Sequence, residues 1–440
     1  MPTDDLELAD LEAQPPKWLP VNRRRFRQWR KHFLVFLAVV GPGIITANVD
    51  NDAGGIVTYS QAGAGFGYTL LWTLLPITVA LIVVQEMVAR MGVVTGKGLS
   101  DLIREEYGLR ATFILMMLLL VVNLGNTISE FAGLASGMSV LGVSRYFIVP
   151  VGAVFVWGLV VKGTYRMVEK VFLVACLFYM AYPLSCFLAR PRWGEALVSL
   201  IKPSFQFNSN YFYMIIGLVG TTIAPWMQFY QQASTVEKGI KVKNYAYARW
   251  DVIVGCTVTD VVAFFIIVAC AATIYPTGHT EIRSGADAAL ALRPLAGRAA
   301  GALFAFGLSN ASLFAASILP LATAYYVCEG LGLESGVNKR MHEAPAFYTL
   351  YTGLIGVGAL AVILLPARDQ IPVILLSQVL NGVLLPVVLI YMLRLINRQD
   401  LMGEYCNTKF INAIAWTTCV VTIVLTLISA VSSIWGRSAA

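Results

Sequence analysis

Charge is scarce in this sequence: Asp, Glu, Lys and Arg together make up 13% of 440 residues. A soluble protein of that length needs about a quarter of its residues charged to cover its surface. Two or three ordinary soluble domains are therefore excluded. Histidine is scarcer still, with only His32, His279 and His342. The seven cysteines show no CxxC spacing, which excludes a zinc ribbon and gives no sign of a disulfide framework. Cys176, Cys186, Cys256, Cys270, Cys328 and Cys419 lie in apolar stretches, where they read as small hydrophobes, and Cys406 lies in a connecting stretch. There is no HExxH, P-loop or GxSxG, and Gly65-Phe66-Gly67 lacks the rest of a nucleotide fingerprint, so nothing points to an enzyme. The net charge of +7 is not gathered into one domain, which argues against a nucleic-acid partner.

Apolar residues dominate instead, at 58% of the chain, with a mean hydropathy of +0.70. They fall in runs of roughly 20 residues, the length of a helix that crosses a bilayer. Eleven such segments are expected, at about 33–56, 69–93, 112–140, 146–164, 170–189, 209–234, 251–275, 299–329, 346–366, 371–396 and 409–434. Residues 1–32 read as a polar cytoplasmic tail, acidic at first and then basic (Arg23, Arg24, Arg25, Arg27, Arg30, Lys31), rather than a signal peptide. With that tail inside, 22 lysines and arginines fall on the cytoplasmic side and 9 outside, leaving only Arg90 in a span. The positive-inside rule thus predicts an odd number of spans, N-terminus cytoplasmic and C-terminus outside.

Two spans cannot be continuous helices. The first carries Asp50, Asp52 and the adjacent glycines Gly54 and Gly55 at mid-membrane. An aspartate there costs about 2.5–3.5 kcal/mol unless it meets a cavity, a partner or a cation. Capping of a second half-helix is the plainer role for Asp52. The sixth span carries Gly220-Thr221-Thr222-Ile223-Ala224-Pro225, and Pro225 removes a backbone donor. Spans one and six occupy equivalent places in two halves of five spans, 33–189 and 209–396. Interrupted helices in matching positions point to the central site of a secondary transporter built from inverted repeats, with span eleven (409–434) an addition.

The residues also carry a resemblance. Gly41-Pro42-Gly43 through Gln61-Ala62-Gly63-Ala64, Gly92 to Gly98, Glu130, Glu329-Gly330, and Ser377-Gln378-Val379 with Leu385-Pro386 resemble the NRAMP divalent-metal transporters over roughly residues 35–405. The resemblance implies an all-α membrane protein of LeuT-type fold and a divalent-cation substrate. It aligns the family's Asp-Pro-Gly-Asn with Asp52-Ala53-Gly54-Gly55, and its Met-Pro-His with Ala224-Pro225-Trp226. The aspartate is kept, while Gly55 and Ala224 replace an asparagine and a methionine ligand. A thioether suits transition metals, whereas magnesium wants oxygen ligands and keeps part of its water. The pattern resembles the NRAMP-related magnesium transporters, which implies magnesium, with manganese tolerated. Asp52, Gly55, Thr221 (through its carbonyl), Ala224 and Gln378 are the expected site, with Gly55 and Ala224 opening space.

Proton coupling, a property of the family, has fewer candidate carriers here. Trp226 and Gln231 stand where the family has histidines, and Thr127 where it has an aspartate. A relay would rest on Asp52, Glu130 and Asp260, so uncoupled uptake is expected. Asp260 pairs locally or lines the ion path, Asn48 and Asp50 hold outer water or cap, and Asn123 and Asn126 bond between helices. Glu86 and Arg90 have ion-pair spacing. No cofactor and no obligatory protein partner is expected, only membrane lipid and the transported cation. The competing readings are a proton-coupled manganese or iron transporter, a LeuT-fold amino-acid transporter, which Asp52 would disfavour by repelling a carboxylate, and a channel.

Overall fold

A computed structural model of the chain describes residues 41–163, 165–206, 208–278 and 293–438. The tail 1–32 with its basic residues, residues 33–40 of the first span, His32, His279 and Arg283 lie outside the described residues. All regular structure among those described is helical. The first span comprises α1 (Pro42–Val49) and α2 (Ala53–Phe66), the second α3 (Leu74–Thr95), the third α4 (Leu99–Val140) and the fourth α5 (Arg145–Lys162). The fifth joins α6 (Tyr165–Leu177) to α7 (Ala181–Leu188), and α8 (Trp193–Ile201) connects onward. The sixth is α9 (Ser209–Thr222) and α10 (Pro225–Glu237), the seventh α11 (Tyr245–Thr273), the eighth α12 (Arg293–Leu331) and the ninth α13 (Pro345–Leu364). The tenth is α14 (Ala367–Ile396), followed by the short α15 (Gln399–Met402) and the eleventh span, α16 (Lys409–Ser438).

Among the described residues ten of these spans are long and apolar enough to cross a membrane. The first is split into halves of 8 and 14 residues, each too short alone. Its expected end near residue 56 is wrong, because α2 continues to Phe66. The run Gln61-Ala62-Gly63-Ala64-Gly65 has little side-chain hydrophobicity, yet its smallness lets α2 lie directly on α11. A Cβ at Gly63 would collide with the Ile267 carbonyl. Gly67, at φ 57°, then ends the helix. The third span also starts earlier than expected, as a segment from Leu99 that bends at Gly108 (φ 79°).

Small residues bring the central helices together, as in membrane bundles generally. Gly43 of α1 lies against the Val252 backbone of α11, and Gly255 returns the contact against Gly43. Gly133 of α4 leaves room for Ala53 and Ser312, tying spans one, three and eight. Gly220 of α9 faces Gly382 of α14. The eleventh span is peripheral, with 22% of its apolar window buried against 72% for the eighth. The expected polar contacts are present. Asn123 donates to Thr323 Oγ1 (2.9 Å), Asn126 exchanges bonds with Asn381 (3.3–3.5 Å), and Arg90 pairs with Glu86 (3.1 Å).

Candidate cation site at the two helix breaks

The Gly41-Pro42-Gly43 start of α1 offers no capping side chain of its own. Its amides are satisfied from the seventh span: the Asp251 carboxylate accepts from Gly41 (3.2 Å), Gly43 (2.7 Å) and Ile44 (3.2 Å). The helix ends at Val49, where the amides of Asp50 and Asn51 bond back to Ala47 and Asn48 (both 3.2 Å). Asp52 is extended and caps α2, its Oδ1 accepting the Gly55 amide at 2.6 Å. Glu130 of α4 reaches the same helix end, its Oε2 accepting the Ala53 amide at 3.1 Å. Two carboxylates thus meet the positive end of α2.

The sixth span breaks in a matching way. α9 stops at Thr222, Ile223 leaves the helix (φ −122°, ψ 59°), and Ala224 is extended (φ −70°, ψ 139°). Pro225 opens α10 at a position where a missing N–H is harmless. Both α1 and α9 therefore end near the breaks and present their negative dipole ends there. Such ends favour a cation.

The breaks are in contact. A Cβ at Gly55 would run into the Asp50 carbonyl oxygen and would lie 3.4 Å from both Asp52 Oδ1 and Thr221 Oγ1. A Cβ at Gly54 would run into the Gln378 side chain. Gln378 approaches from α14, whose backbone at residue 378 also passes Gly220. Tyr59 of α2 bonds Thr222 Oγ1 at 2.9 Å, tying one break to the other. Asp52, Gly55, Thr221 and Gln378 lie together at the two breaks, and Ala224 is buried within the sixth-span break. One expectation is corrected: Gly55 does not simply open space, because the Asp50 carbonyl oxygen moves in where a side chain would stand.

Glu130, Asp260 and the residues at the family's remaining proton-carrier positions are less coherent. Glu130 is fully buried, and its Oε1 has no hydrogen-bond partner among the described residues. Thr127 is not drawn into the break; its hydroxyl donates to Asn123 O (2.8 Å) in its own helix and its methyl faces Gly358 of α13. Trp226 tilts against Tyr230 one turn along α10, at 6.4 Å between ring centroids. Gln231 is buried on that helix with its side-chain oxygen unpartnered among the described residues. Asp260 is buried in α11, and Thr78 beside it donates to Leu74 O instead (2.7 Å). Among the described residues no three acidic, histidine or cysteine side chains converge on one point.

Three participants escaped the sequence reading. Asp251 was signalled by a helix that starts at Gly-Pro-Gly without a capping residue. Tyr59 reads as an ordinary core aromatic. The Lys238–Glu169 ion pair (2.6 Å), which lies beside Gly41, joins the sixth-span end to the fifth span over a sequence distance that no spacing rule covers.

The sequence signature of the natural resistance-associated macrophage protein-like (Nramp) family matches residues 43–432. The chain belongs to the Nramp family. This Nramp protein is 27% identical over 402 residues to the divalent metal cation transporter MntH of Klebsiella pneumoniae, covering 89% of this chain and 93% of the relative. The crystal structure of the Eremococcus coleocola manganese transporter, in complex with an aromatic bis-isothiourea substituted compound, has a TM-score of 0.77 at 19% identity. That match covers 96% of this chain and 89% of the other. MhsT in complex with L-phenylalanine shares the fold at a TM-score of 0.57 and 13% identity, over 90% and 97% of the two chains. The fold is the expected LeuT type, and the chain is a multi-pass membrane protein of a divalent-metal transporter family.

Proposed function

We propose that this Nramp protein takes up magnesium, and also manganese, across the plasma membrane, without coupling to protons. The cation is held between the broken first and sixth spans with part of its water retained. The observation that carries this reading is the donor set at the breaks: the Asp52 carboxylate, the Asp50 carbonyl and the Thr221 hydroxyl meet around Gly55, with the Gln378 amide at Gly54. These groups offer oxygen and no sulfur, which suits a hard cation. Asp52 supplies charge directly, and the Thr221 carbonyl, at the end of α9, is a further oxygen. Ala224 takes the place that a thioether holds in the family.

The membrane potential supplies the driving force, about 4.6 kcal/mol per 100 mV for a divalent cation. The N-terminus is cytoplasmic and the C-terminus outside. The two repeats are 33–189 and 209–396, with 409–434 added. No cofactor, nucleic acid or obligatory protein partner takes part; the partners are the cation and the lipid. One observation favours a second reading, a proton carrier of the ordinary Nramp type: Glu130 Oε1, buried beside α2, has no hydrogen-bond partner among the described residues. Magnesium flux measured in vesicles with a pH reporter separates the two. Loss of that flux in a folded Asp52→Ala variant supports the site, and unchanged flux refutes it.

A further inference from the structure

Arg90 lies buried near the end of the second span, and its guanidinium is shared among four acceptors. Nη2 pairs with Glu86 Oε2 at 3.1 Å and donates to Asn407 Oδ1 at 2.5 Å. Nη1 donates to the carbonyls of Tyr405 (3.1 Å) and Cys406 (3.4 Å). The last three acceptors belong to the linker between the tenth and eleventh spans. There the backbone leaves the helical ladder, so its carbonyls need donors from elsewhere. Asn407 passes the contact on to Asn412 of α16 (2.9 Å), which exchanges bonds with Asn397 just beyond α14 (2.7 and 2.9 Å). A planar guanidinium can bridge a carboxylate, an amide and two carbonyls in this way, whereas the compact ammonium of a lysine cannot.

The other Glu86 oxygen accepts from the Tyr245 hydroxyl at the start of α11. Further along α11, Asp251 holds the first amides of α1, and Gly43 and Gly255 pack backbone to backbone. α1, α11 and α3 are thus joined in series, from the first-span break to Arg90. The linker on the far side of Arg90 follows the second repeat, while the second span belongs to the first. Transporters of this architecture work by moving one repeat or bundle against the other around a fixed site. A contact that crosses between the two is therefore made in one end state and broken in the other. A shift of α1 at the cation carries α11 and α3 with it, and the joint left to give way is the one between Arg90 and the linker.

We propose that the Arg90 fork is a latch, closed in this structure and released in each transport cycle, with the linker before the eleventh span as its catch. Arg90 is a positioning residue that never touches the cation. The eleventh span, peripheral to the bundle, takes part in transport through this joint. The latch rests on the reading of the chain as a divalent-metal transporter, not on magnesium as the ion.

Cys406 supplies the readout, because its carbonyl is part of the catch and its half-buried thiol is free. The full-length protein in lipid nanodiscs is reacted with a maleimide, with and without manganese. Modification of Cys406 is followed by peptide mass spectrometry, and bound manganese is measured by equilibrium dialysis of the same sample. Saturating manganese should raise the labelling rate of native Cys406 by at least roughly threefold, a modest population shift. Arg90→Lys keeps a charge beside Glu86 but loses the fork, so its Cys406 should label at the faster rate whether or not manganese is present. Asn407→Ala, a milder change in the linker, should fall between the two. Manganese bound with the native rate unchanged or lowered overturns the latch, even if Arg90→Lys labels fast, and leaves the transporter reading standing. No manganese bound and no change in rate sinks both.

Discussion

The Asp251 carboxylate accepts a 2.7 Å hydrogen bond from the backbone amide of Gly43, 208 residues away in the chain. With its bonds to Gly41 and Ile44, it supplies the N-cap that α1 lacks and ties the first half of the first span to the seventh. Gly43 and Gly255 pack backbone to backbone beside it. The first half-helix is therefore held by long-range contacts rather than by its own sequence.

Removing that cap should be costly. Asp251→Ala leaves three buried amides without their acceptor, and a loss of about 2–4 kcal/mol is expected. Thermal unfolding in detergent should show a clear fall in midpoint, with Asp251→Asn falling less because its amide oxygen still accepts. A midpoint unchanged by the alanine would show that α1 is not held from the seventh span.

Gly55→Asn restores the family residue but should not restore a family site. The added side chain meets the Asp50 carbonyl oxygen, and overpacking of this kind costs about 1–3 kcal/mol. Magnesium flux in reconstituted vesicles should drop by roughly tenfold or more, without a gain for manganese. Undiminished magnesium flux would mean that the Asp50 carbonyl has no part in the site.

Ala224→Met introduces a soft thioether at the sixth-span break. The ratio of manganese to magnesium uptake should rise by about tenfold, the equivalent of about 1.4 kcal/mol of new discrimination. Competition between the two ions in a flux assay measures it. An unchanged ratio would place Ala224 outside the coordination sphere.

Tyr59→Phe removes one bond between the two breaks. Loss of the Thr222 contact should cost about 1 kcal/mol and slow transport severalfold while leaving the protein folded. Flux at saturating magnesium, set beside the unfolding midpoint, separates a transport effect from a general loss of stability.

How far the sequence was legible depended on the range of the interaction. Ten of the spans followed from hydrophobic length, and both breaks followed from residues that a membrane helix tolerates poorly, Asp50 to Gly55 and Thr221 to Pro225. The Glu86–Arg90 pair lies one helical turn apart and was readable from spacing alone. The end of α2 was misplaced because Gly63 and its neighbours contribute close backbone packing on α11 rather than hydrophobicity. Thr127 fell outside the break although it lies one turn from Glu130, since its hydroxyl found a nearer acceptor in Asn123 O. Asp251 and Asp50 acquired their surroundings only when the first and seventh spans came together.

The central claim is magnesium transport through the Asp52 site without protons. It is tested most directly by magnesium influx into vesicles held at an inside-negative potential, with internal pH followed in the same sample and Asp52→Ala run alongside. Saturable influx that grows with the potential, leaves internal pH unchanged and vanishes in Asp52→Ala is the expected result. Acidification in step with magnesium, or manganese influx without any magnesium influx, would contradict it.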